Sequence, residues 1–307
     1  MTSLDRRLDR LAREHDGLIT RTHAAARQLS PNVLRAAVRD GLLHRIRPGL
    51  FVTGERWRAA RAHERYTLTV RGILLSHPDW IGSHHAALAL AGLPLFDVDL
   101  GVVDVVAPVK ASKVRPGLHI HVATPGQLVR VAEGSPRTVT VAEACVLTAA
   151  ASGFDAGVVA MDAALARSLS TKAGLRTALE LPGARFGVAS ARAAIEAADP
   201  KAESPGETRT RLILIEAGLQ VRSQVSIEDS DGLVGRVDFL VGDRVIVEFD
   251  GLVKYEGADG KLALAREKSR EDRLRAAGFR VVRVTWAELA HPDRVVRRVR
   301  RELASAA

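Results

Sequence analysis

Cysteine is almost missing: Cys145 is the single thiol in 307 residues. One cysteine excludes an intrachain disulfide framework and a zinc site of paired cysteines, and it fits a reducing, cytoplasmic setting. Aromatic residues make up 4% of the chain, too few for a platform on which single-stranded bases would stack. No apolar run approaches the roughly 20 residues that span a bilayer, so no membrane partner is expected. The first residues form a charged amphipathic segment rather than a secretion leader. Internal repeats and low-complexity tracts are also lacking.

Hydrophobic residues reach 47%, enough for real cores, and the length allows two or three domains. The net charge is +9 and arginine far outnumbers lysine. Guanidinium forks pair well with phosphate, so nucleic acid is the natural partner class, although a GC-rich coding bias would raise arginine in the same way.

The most informative stretch is 236–250, RVDFLVGDRVIVEFD. It reads as two strands and a tight turn, with Val237, Phe239, Val241, Val245, Val247 and Phe249 alternating against Asp238, Leu240, Ile246, Glu248 and Asp250. Keeping both apolar sets on one side requires an odd loop, Gly242-Asp243-Arg244, and pairs Phe239 with Val247. Asp238 then lies opposite Glu248, with Cβ atoms roughly 5 Å apart. Two carboxylates that close repel unless a cation lies between them or one keeps its proton. A hard divalent ion such as Mg²⁺ (or Mn²⁺) meets that need. A solvated acidic face is the plainer alternative.

Upstream, Ser204 and Glu207 have capping-box spacing at the start of a helix through Ala217, with proline at the first turn. Glu207 is therefore either a cap or a further acid beside the ion. Near the N-terminus, two short helices precede Ser30-Pro31, a strong start for a third helix to about Asp40. A strand, a Pro-Gly turn and a second strand follow over Leu42–Val52. Helices followed by a basic hairpin are the plan of a winged helix-turn-helix, in which Ser30, Asn32, Arg35 and Arg39 would face bases or phosphates. Arg45 and Arg47 on the hairpin would meet phosphates. Helix is expected over Glu55–Ser76, Ser83–Ala91 and four segments between Val141 and Ala198, with strands at Val102–Ala107 and Leu118–Ala123. His84 and His85 have no partner at useful sequence spacing, and Asp162 reads as a packed polar residue.

Residues 17–54 resemble the N-terminal winged helix of the type IV (abortive-infection) antitoxin family, in which this domain is similar to a transcriptional autoregulator. The middle region resembles the segment after the winged helix in antitoxin-like proteins. Residues 236–250 with 267–289 (EKSREDRLRAAGFRVVRVTWAEL) resemble the very-short-patch-repair endonuclease-like branch of the PD-(D/E)xK nucleases, a likeness spanning roughly Ser204–Leu303. That resemblance implies Asp238 and Glu248 as metal-binding and catalytic acids, joined by Glu207 or Asp250. The lysine it calls for two residues after Glu248 is replaced by Asp250, so its role would pass to Lys254 or Lys268.

The expected fold is an α/β multidomain chain. It comprises a winged helix-turn-helix over 1–55, a mixed α+β middle region over 56–198, and a restriction-endonuclease-like α/β core over 204–307. The expected activity is Mg²⁺-dependent hydrolysis of double-stranded DNA in repair or phage defence. The alternatives are a non-catalytic DNA-binding regulator, or an antitoxin with a cognate toxin protein as partner.

Overall fold

A computed structural model describes residues 3–124, 126–127, 136–182, 186–251 and 258–306. The chain is α/β and divides into two units, Met1–Ala160 with Leu169–Glu196, and Met161–Ser168 with Ala197–Ala307.

The first unit opens with α1 (Ser3–Glu14), β1 (Leu18–Thr20), α2 (Arg21–Ala26), α3 (Pro31–Arg39), β2 (Leu43–Arg47) and β3 (Leu50–Thr53). The strands form an antiparallel sheet in the order β1-β3-β2. Thr20 and Ser30 cap α2 and α3, their hydroxyls accepting from the backbone N–H groups of His23 and Val33. Leu34 and Ala37 bury one side of α3 beside Leu8, Leu11, Ile19 and Leu43.

Periodicity predicts one helix over Glu55–Ser76, but two form: α4 (Gly54–Ala59) and α5 (Ala62–Ser76). The backbone is extended at Ala60, and α5 restarts with Glu64 accepting from the Arg61 N–H at 2.6 Å. Next come β4 (Ile81–Gly82), α6 (His84–Leu90), β5 (Val103–Ala107), β6 (Lys113–Arg115) and β7 (Leu118–Val122). These strands form a second sheet, β4-β5-β7-β6, in which β5 and β7 run parallel. Strands β4 and β6 leave no mark on the sequence pattern, because two or three residues carry no periodic signal. Helices α7 (Val141–Ser152), α8 (Phe154–Ala166), α9 (Lys172–Leu179) and α10 (Val188–Ala197) follow. Leu18, Leu50 and Val52 share one core with Val70, Val105 and Ile120.

The second unit contains α11 (Pro205–Glu216), β8 (Val221–Asp229), β9 (Gly232–Val241), β10 (Val245–Asp250), α12 (Ala258–Ala276) and β11 (Arg280–Thr285). It ends with α13 (Trp286–Leu289), where the sequence predicts only a turn, and α14 (Pro292–Ala306). Strands β8, β9 and β10 form an antiparallel meander, and α12 crosses over so that β11 lies parallel to β10. Alternation sorts the side chains. Phe239, Val241, Val245 and Val247 pack with Ile213 and Leu214 of α11 and with Val295 and Val299 of α14. Leu240 and Ile246 pack with Leu274 of α12. Both faces are therefore covered, as a sheet with a parallel crossover requires. Gly206 near the start of α11 lies against the Phe249 ring, so closely that a Cβ there would fall 2.1 Å from it.

Asp162 is fully buried in the second unit, and its partners explain how the chain tolerates it. It accepts from the Asp199 N–H at 2.7 Å, from the Thr208 hydroxyl at 2.8 Å and from the Arg211 guanidinium at 2.8 Å. Burial nevertheless pushes its carboxyl above the usual range. Removing the guanidinium strands a buried charge. Arg211→Ala is expected to lower unfolding free energy by about 3–5 kcal/mol. Urea denaturation of the full chain measures this, and a loss below about 1 kcal/mol, the worth of an exposed pair, would contradict it.

Candidate functional site

The turn between β9 and β10 is Gly242-Asp243-Arg244, with Gly242 at φ +58°, where glycine is favoured. The pairs Val241–Val245, Leu240–Ile246 and Phe239–Val247 follow. The pairing ends there, one step short of the Asp238–Glu248 pair that the sequence alternation expects. Beyond Val247 the ladder gives way: the Asp238 carboxylate, through Oδ2, accepts from the Phe249 N–H at 2.8 Å. On the other side of β9, Gln224 interrupts the pairing with β8 between Ser223–Phe239 and Val225–Val237. It has φ +53°, a strained conformation for a residue with a side chain, and such strain persists only where the surroundings impose it.

Gln224 uses that conformation to donate its amide to Glu207 Oε2 at 3.0 Å. Glu207 is 8% exposed at the start of α11. It also accepts from the Glu203 N–H at 3.0 Å and the Ser204 hydroxyl at 2.8 Å, so the capping role is built. Its charge still reaches Asp238. Burial above all, with smaller contributions from the charges of Glu207, Glu248 and Glu203 and against the Phe249 hydrogen bond, raises the Asp238 carboxyl to about 6. Asp238 thus feels the charges of Glu207 and Glu248, but among the described residues these acids do not form a group whose ligand atoms converge.

Glu248 is already answered by a cation. Arg270 of α12 donates to it at 2.7 Å and also bonds Glu267. Arg283 of β11 lies 4.0 Å from Glu248 and pairs with Glu267 and Glu271 at 2.7 and 2.8 Å. These pairs explain why acids interrupt the apolar stripe of α12: that helix faces a charged strip of the sheet. Asp250 ends β10 and is exposed, and Lys268 is exposed on α12. Lys254 lies outside the described residues.

In the first unit, Ser30, Asn32, Arg35, Arg39 and Arg45 are exposed. Arg35 donates to Asn32, and Arg39 to Asp40 at 3.2 Å. Arg47 differs from them. Its guanidinium donates to the carbonyls of Pro116 and Gly117 at 3.0 and 3.1 Å, fastening the hairpin to the loop before β7.

The structure also brings together a group that sequence spacing does not reveal. Among the described residues, His84, Asp104 and His121 are the one set of three or more His, Cys, Asp or Glu side chains whose ligand atoms all lie within 4.8 Å of one another. Burial lowers the His84 imidazole to about 4. Asp104 stays below the usual carboxylate range despite its burial, because His121 bonds it and three histidines surround it. Parallel pairing of β5 and β7 creates this group across the fold. The available signal is the alternation His119-Ile120-His121, which puts two imidazoles on one face of a strand.

No family model matches the chain. It is 30% identical over 146 residues to two curated proteins of Mycobacterium tuberculosis, "Uncharacterized protein Rv2248" of strain ATCC 25618 / H37Rv and "Uncharacterized protein MT2308" of strain CDC 1551 / Oshkosh. The alignment covers 47% of this chain and 53% of each relative, so the chain spans about half the length of the proteins it matches.

The raised Asp238 carboxyl has a consequence for stability. The folded chain holds that proton to about pH 6, whereas an ordinary aspartate releases it near 3.8. Between those values the folded state binds more protons than the unfolded one, so this group's contribution falls as pH rises. Asp238→Asn is expected to flatten that decline and to leave the variant more stable than the parent at pH 7. Denaturant midpoints at pH 4, 5, 6 and 7 test it; parallel curves for the two proteins would contradict it.

Proposed function

We propose that this chain is a DNA-binding endonuclease that hydrolyses phosphodiester bonds with Mg²⁺ or Mn²⁺ held near Asp238 and Glu248. The observation that carries the reading is the Asp238 carboxyl, which burial and the nearby charges of Glu207, Glu248 and Glu203 raise to about 6. Such a group favours either a proton or a hard cation with oxygen ligands. The donor chemistry fits Mg²⁺: Asp238 and Glu248 would hold the ion, with Glu207 or Asp250 at its edge. When bound, the ion would activate a water and neutralise charge on the scissile phosphate.

The protein's own residues supply the rest. The Phe249 N–H fixes Asp238, and Gln224 with Ser204 fixes Glu207. Arg270 holds Glu248, an ion pair that a metal on Glu248 would have to displace. Lys268 is the described lysine that the nuclease resemblance offers for charge stabilisation. The helix order and sheet order of the second unit, with α12 between the parallel strands β10 and β11, agree with the PD-(D/E)xK reading. The capped helix α3 and the β2–β3 hairpin agree with a winged helix on duplex DNA, Arg35, Arg39 and Arg45 meeting bases or phosphates. Repair or phage defence would use such an enzyme.

One observation favours a second reading. The Arg270 guanidinium sits on Glu248, where a metal would be needed, and Asp250 stands where the nuclease pattern has lysine. A non-catalytic DNA-binding regulator, or a type IV antitoxin with a cognate toxin, would keep this fold with its acids neutralised internally.

Supercoiled plasmid incubated with the protein and Mg²⁺ or Mn²⁺ separates the two. The enzyme reading expects metal-dependent nicking that falls at least about 100-fold in Asp238→Ala, a loss of roughly 3 kcal/mol in transition-state stabilisation. Equal nicking by both proteins would contradict it, and tight DNA binding without nicking would favour the regulator. DNA affinity measured against salt tests the winged helix. Arg35→Ala with Arg39→Ala is expected to reduce the slope of log K on log salt by roughly 2, one per lost phosphate contact. An unchanged slope would remove α3 from the interface.

A further inference from the structure

We infer that His84, Asp104 and His121 of the first unit form a mononuclear site for a borderline divalent transition metal, Zn²⁺ foremost, separate from the acids of the second unit.

The fold builds this cluster at three points. The strand β4 pairs with β5, and the Ser83 N–H donates to the Asp104 carbonyl at 3.0 Å, which sets His84 beside β5. Parallel pairing of β5 with β7 puts Asp104 level with His119 and Val106 level with His121. Leu118 and Ile120 turn to the core, so His119 and His121 share the opposite face with Asp104.

Geometry and donor chemistry then select the ligand. The three ligand atoms lie within 4.8 Å of one another. Two donors on one zinc, each at about 2.0–2.1 Å, are separated by no more than about 4.2 Å, so small side-chain shifts close the site. Two imidazoles and one carboxylate without a thiol suit Zn²⁺ and its neighbours, whereas Mg²⁺ prefers oxygen alone. Asp104 is 7% exposed, and the groups set against its carboxylate are imidazoles: His121 Nε2 at 2.6 Å, His119 Nδ1 at 3.5 Å and His85 Nδ1 at 3.8 Å.

The surrounding residues hold the ligands in place. His85 Nε2 lies 3.1 Å from the carbonyls of both Asp99 and Val102, which can only accept, so that nitrogen carries a proton and the ring is held with Nδ1 toward Asp104. Ser83 Oγ lies 3.0 Å from His84 Nδ1, the kind of outer partner that orients a ligating ring and leaves Nε2 for the ion. His84 itself has φ +49°, a strained backbone at the first residue of α6. The ion would take the place of the proton that His121 and Asp104 share. His119 and His121 retain 38% and 35% side-chain exposure, so one side of the site is open. Three protein ligands with an open side leave the fourth zinc position to water or to a small-molecule donor.

The test uses the full chain, stripped with chelator and titrated with Zn²⁺ by calorimetry, with Co²⁺ absorption as a geometric readout. One ion per chain is expected, and Co²⁺ should give the intense visible bands of a four- or five-coordinate site. His121→Gln, at the partly exposed edge, is expected to bind at least about 100-fold more weakly, more than the loss of an outer-shell partner causes. Asp104→Asn should behave likewise, and Arg176→Ala, at an exposed ion pair with Glu196, should bind as the parent does. If Asp104→Asn fails to fold by circular dichroism, His121→Gln decides alone. Stoichiometric binding that survives His121→Gln unchanged, or a folded parent chain that binds no Zn²⁺, would overturn the assignment.

Discussion

The antiparallel register between β9 and β10 is the constraint on which the second unit depends. A three-residue turn sets it, and Gly242 in a left-handed conformation makes the turn possible. The register sends Phe239, Val241, Val245 and Val247 toward α11 and α14, and Leu240 and Ile246 toward α12. The ladder ends at Phe239–Val247, and beyond it Asp238 accepts from the Phe249 N–H. Moving the pairing by one residue would turn acids toward α11 and apolar side chains toward the charged face of α12, so the core and the placement of the acids are specified together.

Around that register the charges form a continuous chain. Arg270 joins Glu248 to Glu267, and Arg283 joins Glu267 to Glu271. Arg298 on α14 bonds Glu288 and donates to the Arg283 carbonyl at 2.8 Å. Each basic group in this strip answers an acid of the sheet or its helices, and among the described residues Asp238 accepts from the Phe249 N–H. The arginine excess of the sequence therefore has an internal use in this unit. In the first unit Arg35 and Arg39 of α3 are exposed, whereas Arg27, Arg56 and Arg71 pair with Glu14 and Asp16.

Much of this is legible in the sequence. Period-two alternation and an odd turn foretell the pairing of Phe239 with Val247, and Ser30-Pro31 and Ser204-Pro205 announce two helix starts through capping chemistry. Asp162 reads as a packed polar residue, and Arg211, Thr208 and Asp199 make it one. Other features depend on contacts between distant residues. The break at Ala60 lies inside a pattern that helix periodicity fits, and β4 and β6 are too short to register. Arg47 reads as a phosphate contact on a basic hairpin, yet it is committed to carbonyls about 70 positions away. The imidazoles near Asp104 come from a helix start and a strand that only the sheet order brings together. The strained Gln224 is invisible for the same reason, since its conformation answers Glu207 across the fold.

The central claim is that the acids around Asp238 make a site that favours a cation. Carbon-13 NMR of aspartate-labelled protein, assigned with Asp238→Asn and titrated with and without Mg²⁺, tests it most directly. The account predicts an Asp238 carboxyl that titrates near pH 6 without Mg²⁺ and markedly lower with it. A carboxyl that titrates near 3.8 and ignores Mg²⁺ would contradict it.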